Sequence, residues 1–132
     1  MNRTMPRKLP LKLTADQSAA EFVARINYCE FCHRTNVALC CHEVARGGGC
    51  RLEARQADFA RLCLCGGYED SCHDVLHRMA SQDAVAAGLA LIYHSRAADF
   101  NLEAFWKLTA RRWPDFQTVD RWTRRLIRPR QR

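Results

Sequence analysis

The sequence contains no apolar run approaching the ~18 residues that a membrane-spanning helix needs, so no segment is expected to cross a bilayer. No apolar stretch follows the basic residues of the N-terminus, so those charges do not read as the start of a secretory signal. A cytoplasmic location is expected on that ground. There is no internal repeat, which excludes a solenoid or propeller. No base-stacking motif accompanies the positive charge, so composition does not point to sequence-specific nucleic-acid readout.

What is present fits one small globular unit. A chain of 132 residues has room for a single modest core. Its 48% hydrophobic and 27% charged content are ordinary globular values and argue against wholesale disorder. The net charge is +7 and the pI near 9.2, with lysine and arginine concentrated in residues 3–12 and 111–132. An excess of this size reads either as the footprint of a polyanionic partner, nucleic acid first, or as a solvated surface.

Eight cysteines carry more information. In a reducing compartment, thiols in C-x-x-C spacing are metal ligands more often than disulfides, although disulfides stay as the alternative. Cys29-Glu30-Phe31-Cys32 reads as a zinc knuckle, a tight turn that aims two thiolates at one ion. Cys65 and Cys72 can complete a four-thiolate structural zinc. Cys40, Cys50 and Cys63 then read as small buried hydrophobes. His73 and His77 stand four apart and share a face if their segment is helical, which suits a divalent ion; a solvated helix face is the plainer alternative. His42 reads as part of the same active site or as a further zinc ligand.

Periodicity organises the chain around these residues. Residues 1–13 form a basic arm, 14–80 a zinc-stabilised core with a leading helix, and 81–132 a C-terminal helical extension with a basic tail. Thr14 and Gln17 have capping-box spacing, and Ala19, Phe22, Val23 and Ile26 then recur at helical intervals, predicting a helix over 15–27 whose apolar face can pack across the metal core. Residues 36–39 and 41–44 are partly β-like and lead into Gly47-Gly48-Gly49, which disfavours regular structure. Residues 50–60 fit a loop or a helical excursion. A short strand over 61–65 delivers Cys65, and Asp70 or Ser71 caps a helix from Cys72 to about Met79. Further helices are expected over 84–93, through Leu102, Phe105, Trp106 and Leu108 with Asp99 or Asn101 as cap, and through Val119, Trp122, Leu126 and Ile127. Trp113-Pro114 separates the last two. Trp106, Trp113 and Trp122 are expected to pack the C-terminal helices.

In this order, C-x-x-C, His42-Glu43 before a hydrophobic residue, a glycine run, Leu62-Cys63-Leu64-Cys65 and Cys72-His73-x-x-x-His77, the sequence resembles the HNH endonucleases, in particular small members from phages and mobile elements. The resemblance covers roughly residues 20–125. It implies a small α+β fold with a treble-clef-like ββα-metal core, a hairpin and a helix clasping one divalent ion that meets the scissile phosphate of DNA. The ion implied is Mg, Mn, Ni or Zn, and imidazole ligands suit the transition metals among these. By position, His73 and His77 take the helix-borne ligand places, and Cys41, His42 and Glu43 fall on the catalytic part of the hairpin. Two registers are open. Either His42 is the general base with Cys41 at the preceding ligand place, or His42 is a ligand and Glu43 the base; imidazole basicity near neutral pH favours the first. Arg46, Arg61 and Arg78 are the candidate contacts to DNA phosphates. The sequence departs from the family at two points. Ala60 or Arg61 stands where the family's asparagine belongs, and Cys65 and Cys72 are separated by six residues rather than two. A non-catalytic zinc module that binds DNA or a protein partner is therefore the rival reading.

Overall fold

A computed structural model of the chain describes residues 15–45 and 57–127. The expected basic arm, the Thr14 cap, Arg46, the glycine run, Cys50 and the basic tail from residue 128 lie outside the described residues.

The described chain is small and α+β, with five helices and a two-stranded antiparallel sheet. Helix α1 (Ala15–Ile26) buries Phe22 and ends where Asn27 takes a left-handed conformation, one that asparagine tolerates better than most residues. Strand β1 (Leu39–Glu43) pairs with β2 (Arg61–Cys65), with Cys41 opposite Cys63 and His42 opposite Leu62. Residues 36–38, expected to be partly β-like, lie outside the strand. A 3-10 turn at Asp58–Ala60 leads into β2. Helix α2 (Cys72–His77) starts at Ser71, whose hydroxyl accepts from the Asp74 amide at 3.3 Å. Helix α3 (Ser81–Ser95) follows, then α4 (Leu102–Thr109) capped by Asn101, and α5 (Phe116–Leu126) capped by Asp115.

One core crosses residue 80. Leu62 and Leu64 of β2, Val44, Leu76 of α2, Ala87 to Ile92 of α3, Phe105 and Val119 belong to a single buried cluster. Residues 86–92 are all buried, as expected of a helix that is apolar all round. Close approach of α3 to the end of β1 needs Gly88, because a Cβ there would lie 2.9 Å from Val44 Cγ2. Trp106 and Trp122 pack against the core from outside, and the Trp106 indole donates to the Pro114 carbonyl at 2.9 Å.

The one fully buried carboxylate among the described residues ties these layers together. Glu30, inside the C-x-x-C turn, is 0% exposed and accepts from Arg96 Nε at 2.6 Å, Ser95 Oγ at 2.6 Å and the Cys63 amide at 2.9 Å. Arg96 also donates to the carbonyls of Asp58 and Arg61. Removing one partner of a buried ion pair strands the other charge, so Arg96→Met is expected to destabilise the protein by about 3–5 kcal/mol. Denaturant unfolding of the zinc-loaded protein measures this, and a loss under about 1 kcal/mol would contradict it.

Candidate metal centres

Two groups of potential ligands come together among the described residues: Cys29, Cys32, Cys65 and Cys72, and separately His42, His73 and His77. Within each group the ligand atoms all lie within 4.8 Å of one another.

The sulfur group is assembled from three elements. The knuckle supplies Cys29 and Cys32, the end of β2 supplies Cys65, and the first residue of α2 supplies Cys72. Six residues between the last two suffice because Gly66 and Gly67 turn the chain back. Gly66 is required there, since a Cβ would stand 2.6 Å from Cys40 Sγ and 3.4 Å from His73 Cβ.

The donor set fits zinc. Tetrahedral Zn–S bonds of about 2.3 Å put sulfurs about 3.8 Å apart, and Cys32 Sγ lies 3.9 Å from Cys65 Sγ. That distance is far beyond a disulfide bond, and the seven described cysteines are all free thiols. Backbone amides point at the sulfurs, Cys32 N to Cys29 Sγ at 3.4 Å and Cys72 N to Cys65 Sγ at 3.3 Å. Such donors stabilise thiolate charge around a metal. The Cys72 thiol hydrogen-bonds to Cys29 and is the main reason Cys29 is held down at about 4; burial opposes this and the Cys32 amide assists it. The same hydrogen bond pushes Cys72 up, with burial adding to it. A cation held among the sulfurs would favour their thiolate forms.

The imidazole group draws His42 from β1 and the other two from α2. His73 Nε2 and His77 Nε2 are 2.9 Å apart, and the three rings stand nearly perpendicular to one another, at 78°, 85° and 82°. Metal–nitrogen bonds of about 2.1 Å meeting at right angles put nitrogens about 3.0 Å apart. Three imidazoles on one side of an ion would leave its other positions open. His42 is only 3% exposed, whereas His77 is open to solvent.

Cys41 does not join this group. The group that could hold an ion is His42, His73 and His77 alone; Cys41 lines the cavity beside them, and burial pushes its thiol up to about 11. Cys63 is fully buried, as expected of a small hydrophobe, and burial takes its thiol to about 12; Cys40 is only half-buried, and burial raises its thiol too. Arg61, expected to meet DNA, is a correction: it is 8% exposed and turned inward. Its guanidinium donates to Asp58 Oδ1 at 2.9 Å and to Ser18 Oγ at 2.9 Å, and it lies 4.4 Å from the Phe22 ring centre. Arg78 is exposed, with its charge matched by Asp70 at 2.9 Å and Asp74 at 3.5 Å.

Sequence reasoning missed two cavities at the imidazoles. One is lined by Asp16 and Ala19 of α1 together with Cys41, Glu43 and the three histidines. Asp16 and Ala19 are three apart and share a helix face, but their meeting with β1 is a tertiary contact. The second lies on the other flank of His42 and His77, against Val44, Met79 and α3. Compared with family models, with curated proteins and with solved structures, the chain matches none.

Cys29→Ser is expected to release one zinc equivalent and unfold the core, because the cluster holds the knuckle, β2 and α2 together. Metal analysis with circular dichroism checks this; undiminished zinc in a folded variant would contradict it.

Proposed function

We propose that this chain is a metal-dependent nuclease of the ββα-metal class, in which a hairpin and the helix after it clasp one divalent ion. More narrowly, it is an HNH-type endonuclease that hydrolyses phosphodiester bonds in DNA. The observation that carries this reading is the convergence of His42, His73 and His77 from β1 and α2, apart from the four sulfurs. A structural zinc has no use for a second set of imidazoles. The net charge of +7 suits a polyanionic substrate.

A divalent ion bound there supplies positive charge to the phosphate and makes a water acidic enough to attack it. The protein's own contribution is positional. The near-buried His42 holds its ring rigidly, and α2 presents two imidazoles at one helical interval. With all three rings turned to one point, His42 is assigned to the ion, and proton acceptance falls to the carboxylate beside it, Glu43. Glu43 and Asp16 line the open cavity around the rings. This is the second of the two registers open in the sequence.

One observation favours the rival binding module. Where the family's asparagine would stand, Ala60 is small and buried and Arg61 is committed to Asp58 and Ser18, so neither can orient a histidine.

Nicking of supercoiled plasmid, assayed with Mg, Mn, Ni and Zn alongside metal content, separates the readings. His42→Ala, His73→Ala and His77→Ala are each expected to lose the second metal equivalent and the nicking. Glu43→Gln should keep the metal and lose about 10²–10⁴-fold in rate. Retention of the second metal by an inactive His42→Ala would return His42 to the role of base. No nicking by the native protein with any of the four ions would favour the binding module.

A further inference from the structure

The cavity on the second flank of the imidazoles differs in chemistry from the open one. Its volume is about 210 Å³. Val44, Leu76, Met79, Ala84 and Val85 give it apolar walls without a carboxylate, and its polar side is made by Ser81 at the start of α3 and the rings of His42 and His77. Val44 and Leu76 are fully buried and fixed in the core, and Gly88 lets α3 close up against Val44, so the floor is rigid. A concave site with apolar walls and a few placed polar groups is the usual form of a small-ligand site.

We propose that this recess receives the nucleobase next to the scissile phosphate, turned out of the base stack. The inference rests on the nuclease reading, because the wall shared with the open cavity is made of imidazoles assigned to the ion. A phosphate held at that ion has its own nucleoside within reach of the recess. Size agrees: a cavity of roughly 150 Å³ has room for benzene, so 210 Å³ admits a single flat ring with polar edges. The Met79 thioether suits an aromatic face or edge. With Ser81 as the one hydroxyl, the recess binds a ring without reading its identity closely. Single-stranded or gapped DNA offers such a base freely, whereas a duplex must first unpair and unstack it. The substrate class is therefore DNA with an unstacked base at the cleavage point.

Methionine methyl NMR tests this without requiring turnover. The chain has three methionines, and only Met79 lies among the described residues. In zinc-loaded protein labelled at methionine methyls, thymidine 5′-monophosphate is expected to shift the Met79 signal saturably, through the ring current of the base. Deoxyribose 5-phosphate, which carries the phosphate and sugar alone, should leave it in place and bind roughly tenfold more weakly. Ala84→Leu fills the recess and should abolish the shift; if that variant does not fold, Ser81→Leu at the exposed rim does the same. An unmoved Met79 signal, or an equal shift with the sugar phosphate, overturns the proposal even in a protein that nicks plasmid. A Met79 shift specific to the nucleotide in a protein that never nicks upholds the base site and removes only the nuclease reading.

Discussion

Four sulfurs confined within 4.8 Å of one another are the constraint on which the rest of the structure depends. Thiolates at that spacing repel, and a cation held among them would convert the repulsion into attachment. The attachment joins segments far apart in sequence. Cys29 and Cys32 belong to the turn after α1, Cys65 ends β2, and Cys72 begins α2. Since His73 is the next residue in α2, fixing Cys72 also fixes where the helix-borne imidazoles start. The sulfur cluster and the imidazole trio are thus chemically separate but mechanically linked, with Gly66 threading between Cys40 and His73.

Behind the sulfurs, polar and apolar packing cooperate. Glu30 sits between two of the ligands in sequence yet reaches inward to Arg96, so the turn is anchored to α3 as well as to the ion site. Phe22 of α1 lies against the guanidinium groups of Arg25, Arg61 and Arg96, at 5.4, 4.4 and 5.1 Å from its ring centre. For Arg61 and Arg96, whose side chains are largely buried, the aromatic face satisfies a cation where water is scarce. Arginines that look like nucleic-acid contacts in a list of basic residues are here partly structural.

What the sequence made legible follows from the range of each interaction. The strand over 61–65, the helix beginning at Cys72 and the helices at Leu102 and Val119 were readable because caps and periodicity are local signals. The four-cysteine grouping was readable because zinc ligation has a strict residue vocabulary. The fate of Arg61 was not, because Asp58, Ser18 and Phe22 meet it only after the hairpin closes on α1. Asp16 and the Met79 recess are likewise products of tertiary packing: each is built from elements that share no sequence pattern. The C-terminal segment beginning at residue 81 read as an extension, yet α3 belongs to the same core as the sheet, with residues 86–92 all buried and Gly88 letting Val44 approach closely.

X-ray absorption at the zinc edge tests the central proposal, that the sulfur and imidazole groups hold two separate ions. Protein loaded to saturation is predicted to bind two equivalents, with one shell of four sulfurs at about 2.3 Å and a distinct nitrogen- and oxygen-rich shell at about 2.0–2.1 Å. A single equivalent, or a mixed shell of sulfur and imidazole around one ion, would contradict it.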